Sequence, residues 1–198
     1  MILDVFAPSL ASAAEPSTAA LLAEMRKSFT LEGKPIPPEI LRDFGDGDLA
    51  DSGGVWVTVD AKAAVDSNLY ADEIKIGGGG WVSQTKAATP PDSAQVTDYT
   101  YCGATENGLL IVLSSYRGGG TGVFYTLHIL DLAPGQAFDY DGKIYDQIRL
   151  TNLRNVILGD RWDGEVTISK NEITVVTTRG PEIESGERRP MTIEAKRP

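Results

Sequence analysis

Leu109-Leu110-Ile111-Val112-Leu113-Ser114-Ser115-Tyr116-Arg117-Gly118-Gly119-Gly120-Thr121-Gly122-Val123-Phe124-Tyr125-Thr126-Leu127-His128-Ile129-Leu130-Asp131-Leu132 holds two apolar, partly β-branched and aromatic runs joined by a glycine-rich corner. Such runs favour extended backbone, and consecutive glycines favour a turn, so the stretch predicts two strands meeting at a hairpin. Period-two alternation in the second run puts Phe124, Thr126, His128 and Leu130 on one side of it. The longest unbroken apolar run, Leu109–Leu113, is far short of the roughly 20 residues needed to span a bilayer as a helix.

The same rhythm extends in both directions. Upstream, Val55, Val57 and Val59 alternate with Trp56, Thr58 and Asp60. Further strand candidates are 69–76, 81–86, 95–102, 145–153, 165–169, 172–178 and 191–195. Gly77–Gly80, Pro90-Pro91-Asp92, Glu106-Asn107-Gly108, Pro134-Gly135, Asp141-Gly142 and Lys170-Asn171 separate them as turn formers. About ten short strands so punctuated predict a mainly β, single-domain antiparallel sandwich or barrel.

Before residue 55 the period is 3.6. Ser17 is a candidate N-cap, Leu21, Leu22, Met25 and Phe29 recur at helical spacing, and Gly33 and Pro35 close the segment. Pro37–Gly45 predicts a second, shorter helix, with proline in its first turn and glycine after its end. One or two N-terminal helices are therefore expected to pack on the sheet, because neither can bury its apolar stripe alone. No linker divides the chain, so residues 17–198 are expected to form one domain behind a leader of residues 1–16.

In that leader, Ala11-Ser12-Ala13 matches the small-residue pattern before a signal-peptidase site. Asp4 and Pro8 and the lack of a basic start depart from that pattern. Export to the periplasm or beyond is the expectation; a floppy leader on a cytoplasmic protein is the competing one.

Composition narrows the chemistry. Lys+Arg 18 against Asp+Glu 28 gives a formal charge of −10, a sign that repels nucleic acid and anionic membrane surfaces. One cysteine excludes an intramolecular disulfide, and one histidine excludes zinc sites built on two imidazoles. His128 could serve a Ser–His–carboxylate site if Ser114 or Ser115 lay opposite it, but no Gly-x-Ser-x-Gly elbow supports that. A histidine satisfied by a neighbouring hydroxyl or carbonyl is the expectation. Cys102 reads as a small core residue.

Asp43, Asp46, Asp48 and Asp51 alternate with glycines in a loop that could wrap oxygens around calcium, Asp46, Asp48 and Asp51 being the candidate ligands. The twelve-residue helix–loop–helix spacing is absent, and solvated turns explain the composition equally. Asp139-Tyr140-Asp141-Gly142 offers fewer ligands. No other cofactor is expected.

Glycine marks the candidate ligand site. Ser115, Tyr116, Arg117, Gly118, Gly119, Gly120 and Thr121 combine backbone amides with a guanidinium, the makings of an anion nest, and hairpin tips are the alternative. Trp56 and Trp81 share strand faces with polar residues and could form aromatic platforms, unless that face is buried too. The chain is thus expected to be a non-catalytic binding or interaction domain for a small molecule, glycan or protein. A carboxylate-based hydrolase acting on carbohydrate and an assembly component pairing through a sheet edge are the alternatives.

Overall fold

A computed structural model describes residues 16–44, 57–67, 73–88, 94–178 and 188–197. Helix α1 (Thr18–Ser28) starts where Ser17 Oγ accepts the Ala20 N–H at 3.3 Å, and ends with Arg26 and Lys27 in its last turn. It stops at Ser28, well before Gly33, because Phe29 takes the left-handed conformation (φ 54°) and drops its ring into the core. There the ring meets Tyr99 edge-on at 5.3 Å and stacks on Tyr101 at 5.7 Å. Strands β1 (Thr30–Leu31) and β2 (Lys34–Pro35) form a minimal hairpin whose two turn residues, Glu32 and Gly33, both have positive φ. The Glu24 carboxylate ties this turn down, accepting from Thr30 Oγ1 and from the Glu32 and Gly33 amides at 2.7–3.0 Å. Partial burial opposes its ionised form, yet these bonds hold the carboxyl below its usual value. Helix α2 (Glu39–Asp43) follows Pro37 and Pro38.

The remaining strands are β3 (Thr58–Asp60), β4 (Ile74–Ile76), β5 (Val82–Lys86), β6 (Gln95–Ala104), β7 (Leu110–Gly118), β8 (Phe124–Phe138), β9 (Ile144–Asp160), β10 (Gly164–Ser169), β11 (Glu172–Thr177) and β12 (Arg189–Glu194). Seven form one antiparallel sheet in the order β3-β9-β8-β7-β6-β5-β4, and β10-β11-β12 form a second. The expected mainly β architecture with N-terminal helices is therefore what the chain adopts. Among the described residues, no helix is long and apolar enough to cross a membrane.

The seven-stranded sheet buries both faces, each over its own core. Leu110 and Val112 of β7 and Leu130 and Leu132 of β8 join the helical segment's Leu21, Met25, Phe29, Ile36 and Ile40. The alternate residues Ile111, Leu113, Leu127 and Ile129 pack with Ile173, Val175 and Ile193 of the small sheet. Two-sided burial is why Leu109–Leu113 is continuously apolar instead of alternating. Trp162, at the turn into β10, plugs the end of this second core and donates from Nε1 to Thr177 Oγ1 at 3.2 Å.

Two local expectations change, and a bulge is added. Helix α3 (Ala61–Ser67) follows β3 directly, because Asp60 Oδ1 accepts the Lys62 and Ala63 amides and caps it. Pro134-Gly135 is no separator: β8 runs through it to Phe138. Counting ladder alternation from the Asp139 N–Lys143 O bond puts Pro134 at a non-hydrogen-bonded position of the β8–β9 pair. Its missing N–H faces the side where β7, last paired at Leu110–Leu130, has already ended. β6 carries a bulge between Tyr101 and Gly103, and Gly103 has φ +130°, open only to glycine at ordinary cost.

Candidate functional site

Cross-strand register gathers a polar row on the helix-side face of the sheet. Ser114 lies opposite Thr126, and His128 lies opposite Asn155. All of β7's even-numbered residues share that face with Leu110, so Ser114 and His128 are diagonal neighbours. Ser114 Oγ is 2.7 Å from His128 Nε2, and His128 Nδ1 is 2.8 Å from Asn155 Oδ1. The three side chains are buried.

The partners set the tautomer. Asn155 Oδ1 only accepts, so Nδ1 carries the ring hydrogen and Nε2 presents its lone pair to the Ser114 hydroxyl. A second acceptor, the Thr126 carbonyl, lies 3.3 Å from Ser114 Oγ, a longer contact than that to the ring. Burial depresses the imidazole pKa to about 4, and the hydrogen bond to Asn155 offsets only part of that. The ring is neutral across the physiological range. The histidine is thus satisfied by a hydroxyl, as the sequence predicts, and also by an amide that the sequence does not point to.

Ser114 and His128 form part of the wall of a cleft of about 320 Å³, whose other walls include Leu41, Thr97, Phe124 and Ile157. Leu41 and Arg42 of α2 border it on one side. Arg42 donates to Gln95 Oε1 at 3.0 Å and lies 3.7 Å from Glu39, which holds its guanidinium at the rim. Phe124 and Ile157 are more than half exposed at the mouth. A mostly apolar hollow floored by a few hydrogen-bonding groups is the usual composition of a small-molecule site.

A second cleft, of about 700 Å³, lies between the start of α1, α3 and the β8–β9 hairpin, with Asp60, Asp66, Asp146 and Lys62 among its walls. Two of its carboxylates carry structural bonds: Asp60 caps α3 through Oδ1, and Asp146 accepts from Gln136 Nε2 at 3.1 Å. Among the described residues, no group of three or more His, Cys, Asp or Glu is placed to hold a metal.

The glycine corner is spread over both faces. Ser115 and Arg117 project to the small-sheet side, where Ser115 Oγ donates to Asp98 Oδ2 at 3.3 Å and Arg117 pairs with the same oxygen at 3.6 Å. Tyr116 projects to the other side and lines the 320 Å³ cleft. Gly118, Gly119, Gly120 and Thr121 are exposed, and Gly119 has φ +85°. Trp81 is half-buried against the second core, with its flank beside Gly79. Trp56 and the aspartates Asp46, Asp48 and Asp51 lie outside the described residues. Cys102 is half-buried against the second core, and burial pushes its thiol pKa up to about 11, so it is unreactive at neutral pH. Asp139 spends one carboxylate oxygen on the Asp141 and Lys143 amides, which makes that loop a tied hairpin turn.

Beyond Leu130, β8 and β9 continue past the end of β7 as a ribbon whose tip exposes Phe138, Tyr140 and Ile144. Phe138 and Ile144 are cross-strand partners, so their side chains lie together on one face.

No protein-family model, curated protein or solved structure matches this chain.

Sequence reasoning missed Asn155. β9 carries an extra residue, Leu153, between the pairs Leu130–Asn152 and Ile129–Arg154. That bulge brings Asn152 and Asn155, three apart, to the same face, against simple alternation. No local feature of the sequence marks it.

Proposed function

We propose that this chain is a binding domain for a small, largely apolar molecule bearing one hydrogen-bonding group, seated in the cleft over Ser114 and His128. The supporting observation is one arrangement: a hollow of about 320 Å³ with a mostly apolar lining that includes buried Ser114 and His128, the histidine being held in turn by buried Asn155. That volume falls at the lower end of the roughly 300–1,000 Å³ typical of such sites. Ser114 and His128 offer polar groups fixed at little entropic cost, since their side chains are already held by each other and by Asn155. Export accompanies this reading, supported by Ala11-Ser12-Ala13; mass spectrometry of the natural N-terminus tests it.

The binding test is thermal denaturation against short-chain carboxylic acids, their amides and esters, aromatic acids, sugars and calcium. An apolar acid, amide or ester should raise the melting temperature by mass action, and Thr126→Trp, which fills the cleft, should abolish the shift. No shift across the panel, or a shift that survives Thr126→Trp, would refute the reading. A second reading, docking of a protein partner, is favoured by the exposed apolar tip of the β8–β9 ribbon, a kind of surface that monomers seldom present in contiguous form.

A further inference from the structure

We infer that Ser114 is a nucleophile toward small carboxylic esters with an apolar acyl group, activated by His128 and oriented through Asn155. This rests on the cleft being a ligand site and goes beyond it by naming a reaction.

The connectivity is that of a nucleophile, a base and an orienting group, which is recognised by geometry and not by order along the chain. Ser114 Oγ contacts the lone-pair nitrogen of His128 at 2.7 Å, and the other ring nitrogen donates to Asn155 at 2.8 Å. Both the hydroxyl-bearing residue and the base line the same hollow, so an ester carbonyl bound there meets the nucleophile and base from one side. Thr97 and Thr126, on the strands flanking β7, also line that hollow and are the hydroxyl-bearing residues nearest in register to Ser114 that could donate to an oxyanion. Burial keeps the imidazole neutral at neutral pH, so Nε2 has its lone pair available, while the same burial makes the ring a weaker base than a free imidazole.

In the reaction, Ser114 Oγ bonds to the ester carbonyl carbon as its proton passes to His128 Nε2. The carbonyl carbon–alkoxy bond then breaks, and the alcohol leaves with that proton. Water attacks the acyl-serine in turn, giving its proton to Nε2; cleavage of the acyl–Oγ bond releases the carboxylic acid, and the proton returns to Ser114. Asn155 touches no reacting atom and is a positioning residue.

The experiment incubates the full chain with p-nitrophenyl butyrate and follows nitrophenolate release, with peptide mapping for a butyryl group. Wild type should exceed Ser114→Ala by at least about a hundredfold, the lower range for base-assisted catalysis, with the adduct on Ser114. Asn155→Asp keeps an acceptor on Nδ1 and should retain turnover, with the acid limb of its pH profile moved upward from about 4 by the added negative charge. Asn155→Leu should lose turnover. Circular dichroism and the thermal shift with butyramide, which binds without reacting, establish that each variant is folded and binds. Wild type that binds butyramide yet shows no turnover and no adduct overturns the nucleophile and leaves the binding domain standing. Turnover unchanged in Ser114→Ala overturns it equally, and absence of butyramide binding with no adduct removes both readings.

Discussion

The single imidazole makes this chain a one-residue titration near neutrality. His128 is the only histidine, and its pKa is depressed from 6.5 to about 4 by burial. Below pH 6.5 the unfolded state takes up a proton that the folded state refuses, so stability falls as pH falls toward 4 and is fully present above 6.5. With these two values, the contribution lost between pH 7 and pH 5 is about 2 kcal/mol. For a domain of this length that corresponds to roughly 4–8 °C in melting temperature. Carboxylates titrate mostly below this window and the α-amino group above it, so the loss belongs to His128. The assay is urea denaturation at pH 7, 6 and 5, alongside NMR titration of the one imidazole in the folded chain. His128→Gln should flatten the stability profile between pH 7 and 5. A folded-state imidazole that titrates near 6.5, or equal wild-type stability at pH 7 and pH 5, would refute the buried, neutral assignment.

Four other outcomes follow from particular contacts. Asn152 is fully buried and, among the described residues, neither amide atom has a hydrogen-bond partner, so Asn152→Leu should stabilise the chain by about 1–3 kcal/mol in denaturant titration, and destabilisation would contradict that placement. Trp162→Ala should cost about 3–5 kcal/mol by opening the end of the second core, while Trp162→Phe should lose only the Thr177 bond, about 0.5–1.5 kcal/mol. If an anion binds the glycine corner, Arg117→Ala abolishes binding of phosphate or citrate in calorimetry and Asp98→Asn strengthens it, because Asp98 competes for the same guanidinium; unchanged affinity in both variants would end that site. Phe138→Asp should leave monomer stability within about 0.5 kcal/mol yet weaken any concentration-dependent association seen by sedimentation, and association unaffected by it would take the ribbon tip out of the interface.

The polar row shows how far pattern reading reaches. Alternation along 123–132 correctly puts His128 with Phe124, Thr126 and Leu130, and pairing through the glycine corner makes Ser114 its natural neighbour. Asn155 was out of reach, since it follows the bulge at Leu153 and lies past the end of the strand that composition marks. Pro134 misled for a related reason. Proline usually ends a strand, but here its missing donor falls on an edge where, among the described residues, no strand pairs.

From residues alone came the β-rich architecture, the N-terminal helices, the helical cap at Ser17 and the poverty of general bases, because periodicity, caps and composition are local properties of the chain. Which residues meet across strands was decided only by the folded sheet. Register depends on bulges and on which strand ends first, and these arise from packing between elements far apart in sequence. That packing turned a lone histidine into the centre of a buried row beneath a cleft.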